Sequence, residues 1–528
     1  MQHNSWKNKK ILLFGLGILG GGVETAKFLL KKGVKLSVTD SKSREHLAPS
    51  IAKLPKNISY TLGLHKDGDI KNVDAVIFNP GVAYESEWVK KALAMKKEVY
   101  NDFSLFLSVL KEKKEVPNYI AVTGTRGKTT STTWINHFLP ESAVGGNMPE
   151  NGLLKIVNQK TNLFALELSS FQLEFVQKGS LAPKVAVVTN LYRDHLNRYK
   201  KMEKYAKAKA NIFLNQTSED FLVLNADSEW SAFFLKQKPK AKVYWFSLKP
   251  LAKGKKGMYL KGDKLVWRET KDVVVGTSPF SDVAHNANLL TALTASYLYT
   301  GSWQELLGKI DTLPQVPLRQ EVIFEAKKLK VVNDGAATSP DATVALLDAY
   351  KGVPKADKVL ITGGTDKDLE YSVWAKKVAK EIDPENLFLL SGSATIKMIK
   401  ALTKEGYWRK MNPRIFDNYE EMFSVISMSF CHSGEDRLKL GWDPISKTER
   451  DGASRGREIF QQKNTRDSSH TSSDLIVSKK FSAAVSKPKE SQLHILFSPS
   501  AASFEKFKNE FDRAQKFVKV LKASKLMS

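Results

Sequence analysis

The 528-residue sequence contains a single cysteine, Cys431. One cysteine excludes an internal disulfide framework and fits a reducing compartment, so a cytoplasmic location is expected. Long apolar runs are missing as well. Nowhere do about eighteen apolar residues follow one another, and no membrane-spanning helix is expected. The opening MQHNSWKNKKILLFGLGILGGG has the basic lead and apolar stretch of a signal peptide, but five glycines between Gly15 and Gly22 interrupt it and no small-residue cleavage site follows. It reads as a first β-strand entering a loop. Acidic residues are scarce beside basic ones, 56 against 82, leaving a formal net charge of +26. Such a charge accompanies nucleic-acid binding in some proteins. Here the lysines are spread along the chain, without zinc-finger spacing or an RNP-like aromatic pattern, so nucleic acid is not expected as a partner. No internal repeat is evident.

What is present is 42% hydrophobic residues in a chain too long for one core. Apolar strands alternate with amphipathic helices, which predicts an α/β protein with parallel sheets, in three domains. The first, residues 1–112, contains KKILLFGLGILGGGVETAKFLLKKG (strand, glycine turn, helix), KLSVTD ending at Asp40, and DAVIFNPGV. The charged KEKKEVPN links it to the second, residues 113–318, which opens with YIAVTGTRGKTTSTTWINHFL. The third, residues 319–528, includes LKVVNDGAATSPDATVALLDAY, KVLITGGTDK and LHILFSPSAASF. From 432 to 492 the composition turns to Ser, Lys, Arg and Asp with little periodicity, as expected of a mobile polar insertion.

Two glycine loops carry the chemistry. Gly15, Gly17 and Gly20 form a full G-x-G-x-x-G between strand and helix, and Asp40 follows Gly20 by twenty residues. Three readings fit: a dinucleotide site, a site for some other diphosphate, and a tight turn without a ligand. The second loop, GTRGKT, is a P-loop pattern in which Val122 stands where the first glycine belongs. Backbone amides at this helix start can still cradle phosphates, Lys128 can reach the terminal ones, and the Thr129 hydroxyl can ligate Mg²⁺.

VTGTRGKTT resembles the ATP loop of the Mur ligase family, T-G-T-x-G-K-[ST]. LELSSFQLE, TNLYRDHLNRY, VVNDGAATSPDATVALL, ITGGTDK and FSPSAASFEKFKNEFDR resemble further family blocks, in the family's order, over the whole chain apart from the insertion. The resemblance implies a Rossmann-like N-terminal domain, a central P-loop-type ATPase domain and a Rossmann-like C-terminal domain. It also implies an ATP-dependent ligase, cytoplasmic and monomeric, that adds D-glutamate to UDP-N-acetylmuramoyl-L-alanine through an acyl phosphate, in peptidoglycan precursor synthesis. Carried over by motif, ATP is held by Gly124, Thr125, Gly127, Lys128, Thr129, Thr130, His285, Asn286, Arg319 and Asp334. Lys128, Glu167, His195 and Lys209 are the catalytic set. Two Mg²⁺ ions fall to Thr129, Glu167, His195 and a carbamylated Lys209. The uridine substrate meets Ile18, Leu19, Ser41, Lys42, Asn79, Gly81, Asn147, Ser169 and Gln172, which recasts the first glycine loop as a UDP-sugar site. D-Glutamate meets Thr338, Lys367, Ser503 and Phe504. The chain departs from the family pattern at Leu318, Ala336, Leu289 and Ala514. A sister amino-acid or dipeptide addition and a non-catalytic nucleotide or nucleic-acid binder are the alternative readings.

Overall fold

The computed structural model describes residues 5–148, 150–408, 411–430, 492–503, 505–524 and 526. Phe504, Cys431 and nearly all of the expected insertion lie outside the described residues. Three sheets follow one another along the chain. In the first, strand Lys10–Phe14 is central, flanked by Lys35–Asp40 and Ala75–Phe78, with Ser59–Leu62 and Glu98–Tyr100 at the edges. Every pairing is parallel. Its central strands are apolar on both faces because helices cover both faces, as parallel sheets require. The chain reverses its direction of travel across the sheet between Lys10–Phe14 and Ala75–Phe78. Such a switch point opens a crevice at the carboxyl strand ends, where Gly15–Gly20 and Asn79–Gly81 emerge.

The second sheet has nine strands. Asn118–Thr123 lies between Leu163–Glu167 and Val185–Val188, parallel to both. These three neighbours therefore deliver the GTRGKT loop, Glu167 and the segment Thr189–His195 to one edge. Two antiparallel strands, Lys264–Arg268 and Asp272–Thr277, extend the far side. In the third sheet, Leu493–Phe497 returns between Leu329–Asn333 and Lys358–Gly363, parallel to both. That places Asp334–Thr338, Gly364–Lys367 and Ser498–Ser503 on a common edge.

The first two units share one apolar core. Helix Asp102–Lys111 buries Leu105, Phe106 and Leu110 in the same cluster as Phe164 and Leu166 of the second sheet. Phe106 and Phe164 meet edge to face at 5.3 Å. Among the described residues no helix is long and apolar enough to cross a membrane.

Candidate active site

Strand Asn118–Thr123 runs into helix Lys128–Phe138 through Gly124–Gly127. Gly124 (φ 145°) passes so close to Thr189 that a Cβ would lie 1.9 Å from its Oγ1. Gly127 (φ 77°) is the N-cap, and its Cβ would lie 2.3 Å from Asn288 Oδ1. Both positions demand glycine, whereas Val122 sits inside the strand, fully buried. The short loop is thus complete without the missing glycine. Asn190 steadies it, accepting from the Arg126 amide through Oδ1 at 2.9 Å.

Lys128 Nζ donates to the Thr125 carbonyl at 3.1 Å. Burial lowers its pKa, with Glu167 pulling the other way. The Thr129 hydroxyl donates to Glu167 Oε2 at 2.7 Å, and Asn147 Nδ2 donates to Oε1 at 3.1 Å. Glu167, 2% exposed, thus stands beside the loop with both oxygens oriented. Lys209, 1% exposed, donates to the Gly124 carbonyl at 2.8 Å and lies 4.6 Å from the Tyr205 ring centroid. Burial, reinforced by Lys128, holds its pKa well below the usual lysine range.

His195 sits in the left-handed region (φ 54°), an uncommon conformation for a residue with a Cβ, and caps helix Leu196–Tyr199. Its ring packs edge-on to Phe171 and Tyr205. Partial burial holds the imidazole pKa low, Asp194 opposes this, and Lys367, Lys209 and Lys128 assist it, so the ring is neutral near pH 7. A neutral imidazole can ligate a cation. Among the described residues no three His, Cys, Asp or Glu side chains converge on one point. One carboxylate, a hydroxyl and an imidazole beside a phosphate loop fit Mg²⁺ that takes its remaining ligands from phosphate and water.

Residues of the third unit reach this loop. Arg319 donates to the Ala336 carbonyl at 3.3 Å and to Thr129 Oγ1 at 3.5 Å. Arg126 pairs with Asp341 at 3.3 Å. Asp334 accepts from the Gln320 amide and the Ser498 hydroxyl, both at 3.2 Å, and burial raises its pKa to about 7. Thr130, Trp134, Phe280, His285, Pro314 and Arg319 line a cleft next to the loop. Trp134 and Phe280 stack at 5.4 Å, and His285, fixed by Asp282 at 2.9 Å, continues the stack at 5.0 Å from Phe280. Planar faces of this kind suit a purine. Asn286 works indirectly: its amide accepts from Ser278 and donates to the Phe280 and Asp282 carbonyls, which shapes the cleft wall. Thr125 is similarly engaged, with Tyr192 and Tyr205.

The first glycine loop resolves differently from the dinucleotide reading. Asp40, 5% exposed, accepts through Oδ2 from the amides of Leu16 (2.8 Å) and Gly17 (2.9 Å), and through Oδ1 from that of Lys42 (2.9 Å). This carboxylate braces the loop from inside and is not presented to a ribose. Ile18 and Leu19 stand exposed beyond it, as do Ser41 and Lys42. Asn79 faces Gly15 and accepts from the Gly81 amide at 2.9 Å.

Ser169 and Gln172 form a capping box on helix Ser170–Leu173. Gln172 also donates to Asp102 Oδ2 at 2.8 Å and, 2% exposed, joins the first two units. In the third unit, Thr338 and Lys367 are half-buried, and Lys367 lies close enough to Asp194 and His195 to act on both electrostatically. Ser503 is buried, and its hydroxyl has no hydrogen-bond partner among the described residues. Arg513, fully buried, donates to the carbonyls of Ala501, Ala502 and Gly335 and ties that pocket wall together.

Sequence reasoning missed Arg126, Trp134 and Phe280. Arg126 lay at the variable position of the loop itself. Trp134 follows Thr130 by four residues, the spacing that puts two side chains on one helix face. Phe280 carried no signal, because its place depends on a loop folding back across the sheet.

A glycine loop at a helix start, a buried carboxylate beside its threonine, and cations from the loops of a third unit fit nucleotide-dependent phosphoryl transfer. Family models agree: residues 9–101 match the MurD-like N-terminal domain of Mur ligases, and residues 122–295 match the Mur ligase middle domain. The chain is 32% identical over 435 residues to the UDP-N-acetylmuramoylalanine–D-glutamate ligase of Roseiflexus sp., covering 78% of this chain and 89% of that one. It is 30% identical over 522 residues to the enzyme of the same name from Borreliella burgdorferi, covering 97% of each. The UDP-N-acetylmuramate-alanine ligase of Thermotoga maritima has a similar fold, with a TM-score of 0.54 at 18% identity over 98% of this chain and 100% of that one. The chain belongs to the Mur ligase family.

Proposed function

We propose that the chain is the ligase that adds D-glutamate to UDP-N-acetylmuramoyl-L-alanine, with ATP cleaved to ADP and phosphate. The observation that carries this reading is the convergence of Lys128, Thr129 and Glu167 at the phosphate loop with His195 and Lys209 beside them. Its support in substrate comes from the name shared by relatives that align along 97–99% of the chain.

In this reading the loop amides and Lys128 bind the ATP phosphates, and the stack of Trp134, Phe280 and His285 takes the adenine. Thr129, Glu167, His195 and a carbamate on Lys209 would hold two Mg²⁺ ions, which would supply charge neutralisation for phosphoryl transfer. Burial favours the neutral amine of Lys209, which is the form that captures carbon dioxide. The uridine nucleotide lies along Ile18, Leu19, Ser41, Lys42, Asn79 and Gly81, with its alanine end toward Asn147. Its carboxylate takes the terminal phosphoryl group of ATP, and the resulting acyl phosphate is attacked by the amine of D-glutamate. Attack forms the amide and expels phosphate. Lys367, Thr338, Ser503 and Phe504 hold the amino acid, Lys367 answering its second carboxylate. The residue boundaries 112 and 318 divide the three domains, and the chain works as a cytoplasmic monomer.

The step is tested by trapping. With ATP, Mg²⁺ and the uridine substrate but no amino acid, hydroxylamine should yield the substrate hydroxamate. A hydroxamate that forms equally well without ATP would sink the reading.

A further inference from the structure

Arg198 engages all five N–H donors of its guanidinium. Nε and Nη2 donate to Glu174 at 2.9 and 2.6 Å, a forked pair that is about nine-tenths buried on both sides. Nη1 donates to the carbonyls of Pro80 (3.1 Å) and Gly81 (2.8 Å), and Nη2 to that of Val82 (3.2 Å). Glu174 is itself saturated, accepting from Tyr199 Oη at 2.6 Å and the Tyr84 amide at 3.0 Å. One ion pair thus clamps the 80–84 loop of the first unit onto the second.

The same pair lies beside His195. The amides of Arg198 and Tyr199 both donate to the His195 carbonyl at 3.0 Å, closing the one-turn helix that keeps His195 in its left-handed conformation. The Arg198 guanidinium lies 4.0 Å from the Phe171 ring centroid, and Phe171 packs at 4.9 Å against the His195 ring. Two routes, one through backbone and one through Phe171, run from the loop beside Asn79 and Gly81 to His195. Lysine cannot replace this guanidinium, because a single ammonium lacks the planar fork and two of the five donors.

We propose that Arg198, paired with Glu174, is a positioning residue that couples the seating of the uridine nucleotide against loop 79–82 to the placement of His195. The proposal rests on the functional reading above. It assigns Arg198 no contact with substrate.

The test measures coupling, not turnover. Mn²⁺ binding to the full chain with a non-hydrolysable ATP analogue is followed by electron paramagnetic resonance, with and without UDP. In the parent, UDP should tighten Mn²⁺ binding severalfold, within the range of about 5–150-fold common for coupled sites. In Arg198→Lys that factor should fall to about one, while ATP-analogue affinity without metal and the melting temperature stay near those of the parent. Phe171→Leu, which leaves the ion pair intact, should lower the factor partway and guards against misfolding of the first variant. An unchanged factor in both variants overturns the proposal, as does a parallel loss of melting temperature, analogue binding and coupling, which would mark a purely structural pair. A parent that binds UDP and Mn²⁺ without coupling overturns this proposal alone. A parent that binds no UDP overturns the uridine reading and the proposal with it.

Discussion

Lys209 donates to the carbonyl of Gly124 at 2.8 Å from a position that is 1% exposed. Among the described residues no carboxylate pairs with it there, and burial holds its pKa well down. A buried lysine with a lowered pKa is a reactive amine, not a structural cation. Labelled bicarbonate should therefore give a carbamate carbonyl signal in the parent and none in Lys209→Arg. The arginine variant should bind metal about 10–100-fold more weakly, the range seen when a metal site's supporting groups are removed. A carbamate signal that persists in the variant would place the modification elsewhere.

Asn147 holds Glu167 Oε1 at 3.1 Å, and through it, on the proposed reading, acts on the cation site. Asn147→Ala should weaken Mg²⁺ half-saturation by about 10–100-fold with the adenine contacts untouched. Glu167→Gln should do more, since it removes the charge itself. Titration of activity against Mg²⁺ separates the two, and equal effects would contradict the account.

Gly127 has φ 77° and no room for a Cβ beside Asn288. Gly127→Ala should leave the chain folded, with a melting temperature lower by a few degrees, and should abolish ATP-analogue binding. Calorimetry decides this. Retained analogue binding would show that Asn288 can yield.

Asp334 gives the pH dependence. A carboxyl raised from 3.8 to about 7 by burial favours the folded state fully below its unfolded value, and that contribution disappears as pH rises through 7. Asp334→Asn keeps an acceptor for the Gln320 amide and a partner for Ser498 while removing the charge. Its stability should match the parent's near pH 4 and exceed it increasingly up to about pH 7, by at most about 4 kcal/mol. Denaturant unfolding across that range measures the difference, and a gap independent of pH would rule out ionisation of Asp334 as its cause.

Much of this was legible in the sequence. Apolar runs such as ILLF and YIAVT marked central parallel strands, because strands covered on both faces show no alternation. The second glycine loop, Glu167, His195 and Lys209 were named by motif, and the order of the second sheet explains why such separated motifs meet. The dinucleotide reading of the first loop failed for a reason that spacing cannot reveal. Asp40 stands at the expected distance from the glycines, yet its carboxylate turns inward onto the amides of Leu16 and Gly17. Gln172 and Asn286 were likewise visible as polar residues in the right motifs, but only the packing shows both side chains engaged in joints and loop walls. Arg198 and Glu174 lie within LNRY and FQLE, but an ion pair between segments has no signature in either one.

The central claim is tested most directly by phosphate release from ATP and Mg²⁺ with UDP-N-acetylmuramoyl-L-alanine, adding D-glutamate, L-glutamate, L-lysine or meso-diaminopimelate separately. Release that requires both the uridine substrate and D-glutamate is the predicted result. Release that favours another amino acid, or that proceeds without the uridine substrate, would contradict it.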